Sequence, residues 1–214
     1  MAAFDNSNLN DRVYLYLRDQ ILHNVYKPGD QIVYEQLIQE LGVSRTPLRD
    51  AINRLVQDGL IEVKPRSGSF VYMPNAQDIG ELYDVRKALE CQAIEAALPR
   101  MSPEELEGLL READEADEAI RRGDVQRFFE ADRTFHRTII ERSGNGLLAG
   151  IMGTLELRII WFGVIITKFD RPQQANDMHR RIIQAMASRN VALAKQLMGE
   201  HIEDIRRYTI GDYA

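Results

Sequence analysis

The stretch Val43-Ser44-Arg45-Thr46-Pro47-Leu48-Arg49-Asp50-Ala51-Ile52-Asn53-Arg54-Leu55-Val56-Gln57-Asp58-Gly59-Leu60-Ile61 decides the fold. Ser44 suits a helix N-cap, Pro47 is tolerated only in a first turn, and Gly59 ends the helix that starts between them. Leu48, Ala51, Ile52, Leu55 and Val56 recur at helical spacing and make one apolar face, while Arg45, Thr46, Arg49 and Asn53 project from the other. One side of this helix is packed down and the other carries charge.

Working outward, Tyr34 to Leu41 reads as a short helix, and Gly42-Val43 supplies a tight turn into Ser44. Two helices joined by a few residues that include Gly make a helix-turn-helix, whose second helix enters the DNA major groove. Leu60 to Lys64 and Ser69 to Tyr72 are β-prone runs joined by Pro65-Arg66-Ser67-Gly68, so a two-stranded wing follows. Asp11 to Asn24 makes a first helix with Val13, Leu17, Ile21 and Leu22 inward, ended by Lys27-Pro28-Gly29-Asp30. His23, beside that breaker, reads as a surface or capping residue.

At these residues a family resemblance becomes specific. Gly42 to Arg49, then Asp58-Gly59-Leu60, then Gly68 and Val71 resemble the DNA-binding domain of the GntR family of bacterial transcription regulators. The resemblance implies that Arg45 and Arg49 meet DNA. One would pair with guanine O6 and N7, while the other, with Ser44, Thr46 and the helix N-terminus, holds phosphate. Arg66 and Gly68 at the wing tip would reach the minor groove, and Arg54 would face solvent or a dimer partner. Where family members often enter the preceding helix with serine, glutamate and a base, this chain has Val33-Tyr34-Glu35. A different set of backbone anchors follows from that departure.

The net charge of −6 over 214 residues argues against a generally basic nucleic-acid coat. Locally the balance reverses, because Arg45, Arg49, Arg54, Lys64 and Arg66 outnumber Asp50, Asp58 and Glu62, and the local patch is what meets phosphate. A single cysteine, Cys91, excludes an internal disulfide, suits a reducing compartment, and reads as a small core or boundary residue. Met1 to Asn10 shows no secretory signal. The apolar run Gly146 to Phe169 is interrupted by Glu156 and Arg158, so it reads as a buried helix or helix pair and not a membrane span. The expected location is cytoplasmic.

Pro74 marks a boundary, giving domains at 1–74 and 75–214. Beyond it all signals are helical: Ala76 to Leu98, with Ile79, Leu82, Val85, Leu89, Ala93 and Ala96 inward; a helix started by Ser102-Pro103-Glu104-Glu105; one from Gly123-Asp124 to Arg142; the apolar segment; then Arg171 to Ser188 and Val191 to Tyr208. Met152, Met178, Met186 and Met198 read as core, Trp161 as a bundle residue, and Glu112 to Glu118 as a solvated face.

Asp132 and His136, four residues apart, share the apolar stripe of Phe128, Phe129, Phe135, Ile139 and Ile140. His179 lies on the stripe of Ala175, Met178, Ile182, Ile183 and Met186. His201 lies on that of Ala194, Leu197, Met198 and Ile205. Of four histidines in the chain, three therefore point inward. A buried unpaired carboxylate costs several kcal/mol, so Asp132 needs a partner. Imidazoles and a carboxylate suit Zn²⁺, Ni²⁺, Mn²⁺ or Fe²⁺. A buried polar network without metal is the other reading of the same pattern.

Glu81 to Glu90, Asp132 with His136, His179 and His201 are similar to the FCD domain of the FadR-like GntR branch. That resemblance implies a mainly α protein, a winged helix-turn-helix followed by an antiparallel bundle of roughly six or seven helices. It also implies a metal held by these four residues and a small carboxylate or hydroxy acid in the remaining coordination positions. Arg86 would clamp the acid, the alternative being a surface pair with Glu90, and Arg158 would be a second clamp or an ion-pair partner of Glu156 or Asp132. The partners implied are an organic acid effector and double-stranded DNA with a palindromic operator, read by a homodimer with no membrane involved. Two other functions fit less: a metal-dependent hydrolase or lyase with an appended helix-turn-helix, for which no spare general base is evident, and a sensor of the metal itself.

Overall fold

A computed structural model of the chain describes residues 6–165 and 171–213. The chain divides into two compact units, Met1–Asn75 with Thr154–Thr167, and Ala76–Gly153 with Lys168–Ala214.

In the first unit α1 (Asn6–Leu22) and α2 (Tyr34–Leu41) pack on α3 (Arg45–Gln57). Leu48, Ala51, Ile52 and Leu55 are fully buried, as their spacing requires, together with Leu17 and Ile21 of α1. Ser44 occupies the N-cap position in extended backbone, but its side chain makes no capping hydrogen bond. Its hydroxyl is thus left for another acceptor or donor. Polar contacts tie α1 to α3: Tyr14 donates to Asp58 (2.8 Å), and Arg54 pairs with Asp11 (2.5 Å) and lies 4.0 Å from the Tyr14 ring centroid. Arg54 is exposed, as expected, and also fastens the first helix to α3.

The wing is β2 (Ile61–Lys64) and β3 (Gly68–Val71), antiparallel, with Lys64 opposite Gly68. A third strand, β1 (Gln31–Ile32), pairs with the other edge of β3, giving the order β1-β3-β2. Two residues are too few for periodicity to announce a strand. Arg66 takes a positive φ of 64° at the wing tip, and Gly68 a φ of 121° that favours glycine.

In the second unit α4 (Ala76–Ala97) packs on α6 (Val125–Arg142) and α9 (Val191–Tyr213), and α5 (Pro103–Arg121) on α6 and α8 (Pro172–Ala187). α8 closes the ring on α9 and also meets α6. Ser102 and Glu105 form a full capping box at the start of α5. Asn176, buried on α8, donates to the Ala113 carbonyl (2.7 Å) and to Asp117 (2.5 Å). The acidic face of α5 is more than a solvated surface. Glu112 and Glu115 pair with Arg127, and Asp114 and Asp117 with Arg180.

Two expectations about apolar faces need correction. On α4 the buried stripe includes Ile79, Leu82, Tyr83, Arg86, Glu90, Ala93, Ile94 and Ala97, whereas Val85 is 46% exposed and Leu89 half-buried. A charged pair holds the inward positions expected for aliphatics. The apolar segment forms one helix, α7 (Gly146–Val164), but only 22% of its Gly146–Gly163 window is buried, and Leu147 is 77% exposed. It is long and apolar enough for a membrane by length and composition, with Glu156 and Arg158 inside it. Its expected end at Phe169 lies outside the described residues.

α7 is shared between the units, its residues from Thr154 onward belonging with the first. Trp161, fully buried, is thus a residue of the DNA-binding unit and not of the bundle. Within that unit Arg158 Nε donates to the Asp58 carbonyl (3.3 Å), at the end of α3 where carbonyls lack helical partners. Gly59, with φ 74°, leaves the space it needs, since a Cβ there would fall 2.0 Å from Arg158 Nε.

Candidate metal centre and DNA-reading surface

α6, α8 and α9 each turn one apolar face inward, and the four expected donors meet where those faces converge. One ligand atom from each of Asp132, His136, His179 and His201 lies within 4.8 Å of all the others. His201 Nε2 is 3.2 Å from His179 Nε2 and 3.3 Å from His136 Nε2, while Asp132 Oδ1 is 3.3 Å from His179 Nε2 and 3.7 Å from His136 Nε2. Donors about 2.0 to 2.3 Å from a common ion stand roughly 3 to 4 Å apart, so these separations fit a single divalent cation.

The donor chemistry fits as well. Imidazole nitrogens face one another at hydrogen-bond range, and a neutral ring carries one proton for its two nitrogens, so His201 Nε2 can donate to only one of the two that face it. Burial above all pushes the pKa of His179 and His201 well below the ordinary 6.5, and the nearby Arg86 guanidinium lowers both further. Neutral imidazole is the form a metal binds. His179 also stacks on Phe135, with ring centroids 4.4 Å apart, which fixes its ring plane.

Because those two folded-state pKa values are lowered, the unfolded chain takes up protons first as pH falls. Their contribution to stability is therefore present above the ordinary 6.5 and lost below it. Chelator-treated protein is expected to show a thermal midpoint that falls from pH 7.5 to pH 5.5, measured by circular dichroism, with a flatter dependence when His179 and His201 are both replaced by glutamine.

Beside the donors, α4 contributes two residues. Arg86 is buried and its Nε donates to Glu90 Oε1 (2.7 Å), and the other oxygen, Glu90 Oε2, contacts His136 Nδ1. Burial would raise the Glu90 carboxyl, but His136 and Arg86 outweigh it and hold it at about 2. Burial likewise opposes the charge of Arg86, and Glu90, Tyr83 and Asp132 restore and raise its pKa. The arginine thus pairs with Glu90, but inside the bundle and within the field of Asp132, not on a helix surface. Arg158 is not with this group; it holds the end of α3 in the other unit. Glu90 was expected only as a surface partner of Arg86, and its place against His136 is what the sequence did not announce. Its signal was the i, i+4 spacing from Arg86, which a buried face makes far more consequential than an exposed one.

In the first unit the six expected DNA contacts are all exposed: Ser44, Arg45, Thr46 and Arg49 around the first turn of α3, Arg66 and Gly68 at the wing tip. A groove between wing and helix is lined in part by Gln31, Glu35, Arg45, Lys64, Arg66 and Ser69. Arg45 pairs with Glu35 at 3.0 Å, but both are exposed, so the pair contributes little and yields readily to phosphate. His23 is exposed with Nδ1 2.7 Å from the Asp19 carbonyl, and Cys91 is half-buried with its thiol pKa raised by burial and by Glu90.

A winged helix-turn-helix with an exposed, arginine-bearing first turn, joined to a helical bundle, is the architecture of a DNA-binding transcription regulator. Residues 9–71 match the bacterial regulatory proteins of the gntR family, and residues 81–204 match the FCD domain. The chain belongs to the gntR family, in the branch that carries an FCD domain. It is 30% identical over 190 residues to the HTH-type transcriptional regulator YdhC of Bacillus subtilis, covering 88% of this chain and 85% of that protein. A GntR regulator structure from Rhodococcus sp. RHA1 superposes with a TM-score of 0.77 at 27% identity, over 96% of this chain and 99% of that one. The metal-free FCD domain of TM0439 is similar in fold, with a TM-score of 0.58 at 22% identity over 65% of this chain and 96% of that one.

Proposed function

We propose that this regulator reads a palindromic operator as a cytoplasmic homodimer, and that a small carboxylate bound at a metal centre in its bundle controls operator affinity. The observation that carries the reading is the convergence of Asp132, His136, His179 and His201 within 4.8 Å of one another, three of them buried. A divalent transition metal held there, Zn, Ni, Mn or Fe, supplies coordination positions for the oxygens of an organic acid. Arg86, buried and permanently charged, adds a second point of attachment for the acid's carboxylate. A single reading helix contacts too few base pairs to select one site, which is why two copies are required. Arg45 and Arg49 with Ser44 and Thr46 hold the major groove and its phosphates, Arg66 and Gly68 the minor groove.

The test is fluorescence anisotropy on duplexes selected from a random pool by the protein itself, with and without chelator, zinc and a panel of small carboxylates. A carboxylate is expected to shift operator affinity by about 5- to 150-fold when zinc is present and not after chelation, with DNA binding itself retained. A response that survives chelation contradicts the reading. Operator affinity that follows zinc alone makes the protein a sensor of the metal.

A further inference from the structure

Glu90 is buried to 1% exposure and makes two contacts with its two oxygens, one to Arg86 Nε and one to His136 Nδ1. Arg86 is always protonated, so its Nε is a donor and Oε1 an acceptor. A carboxylate has only acceptors to offer, so the proton between Oε2 and His136 belongs to Nδ1. Nδ1–H then leaves the lone pair of a neutral His136 on Nε2, the atom that lies 3.3 Å from His201 Nε2 and 3.7 Å from Asp132 Oδ1.

We infer that Glu90 is a positioning residue for the metal centre: it fixes His136 in the Nδ1–H tautomer and anchors Arg86 with the same carboxylate. This rests on the metal reading only for the affinity part. The tautomer follows from the hydrogen bonds of the chain alone. Orienting partners of this kind matter because a ring free to choose its tautomer must reorganise before it can bind.

Glu90→Gln separates the role from mere packing, because the side chain keeps its shape and loses one acceptor. Its single carbonyl oxygen can serve one of two donors. Arg86 cannot give up its proton and takes it. The amide NH₂ then faces Nδ1 of His136, which must become the acceptor, and the proton moves to Nε2, into the donor cluster.

Two measurements on the full chain test this. In chelator-washed protein, ¹⁵N–¹H correlation spectra of the imidazoles are expected to show His136, assigned by comparison with His136→Gln, as Nδ1–H in the wild type and Nε2–H in Glu90→Gln. Competition for Zn²⁺ against a chromogenic chelator is expected to show a 10- to 100-fold weaker affinity in the variant, the range for lost orienting partners. A wild-type His136 protonated on Nε2 overturns the proposal whatever the variant does, including failing to fold. So does a Glu90→Gln protein with unchanged tautomer and unchanged zinc affinity. If the wild type binds no zinc yet shows the expected tautomer and its reversal, the metal reading falls, and what stands is that Glu90 fixes the tautomer of His136 and anchors Arg86.

Discussion

His179→Ala is expected to lower zinc affinity by more than about 100-fold, beyond the range of outer-shell changes, because it removes a donor and not an orienting group. His179 Nε2 is 3.2 Å from His201 Nε2 and 3.3 Å from Asp132 Oδ1, so its loss opens a gap between two of the remaining three ligands. The consequence is visible in stability. Metal at a hundred times its dissociation constant stabilises the wild type by about 2.7 kcal/mol, and the variant at the same concentration gains almost nothing. Removing the ring also exposes Phe135, so part of any loss in the metal-free midpoint is packing. Titrating zinc into both proteins while following thermal unfolding separates the two contributions. Equal zinc-induced shifts in the two proteins would remove His179 from the ligand set. Affinity of the effector-free variant for operator DNA is expected to stay within about twofold of wild type, since the substitution is in the bundle.

Arg49→Ala should have the converse profile. Arg49 is exposed near the start of α3, next to the buried Leu48, and makes none of the contacts described above that fasten α3 to α1. Losing a guanidinium that reads a guanine costs about 1 to 3 kcal/mol, or roughly 5- to 150-fold in affinity for a selected duplex. Zinc content and thermal midpoint should not change. Anisotropy on the selected site and on a scrambled duplex distinguishes reading from phosphate holding. Equal losses on both duplexes would make Arg49 a phosphate contact, and no loss on either would place the reading elsewhere on the helix.

Much of this was legible in the residues because one face of each helix had to be apolar. The recognition helix announced itself through Leu48, Ala51, Ile52 and Leu55, and the structure buries all four. The three inward histidines were legible for the opposite reason, as polar residues on stripes that should have been apolar, and the fold brings their nitrogens together. α4 was misread by the same logic. Val85 and Leu89 looked like its core, but each lies one residue before a charged position that takes the inward place, Arg86 and Glu90. A rule that assigns aliphatics to the interior has no term for two opposite charges that are cheaper buried together than apart. Arg54 was expected to face solvent or a dimer partner, and Arg158 to clamp an anion or pair with Glu156 or Asp132, because a sequence shows a charge but not the Asp11, Tyr14 or Asp58 carbonyl that another element will offer it. The apolar helix α7 showed the limit of composition, which marks a surface as needing cover without saying whether this chain covers it.

The central claim is that four side chains from three helices hold a divalent ion, and equilibrium dialysis followed by elemental analysis tests it most directly. Chelator-stripped protein dialysed against micromolar zinc, nickel, manganese or ferrous iron should take up about one ion per chain for at least one of these metals, and His179→Ala about none. Wild-type protein that takes up none of the four, or takes up the same amount as His179→Ala, would contradict it.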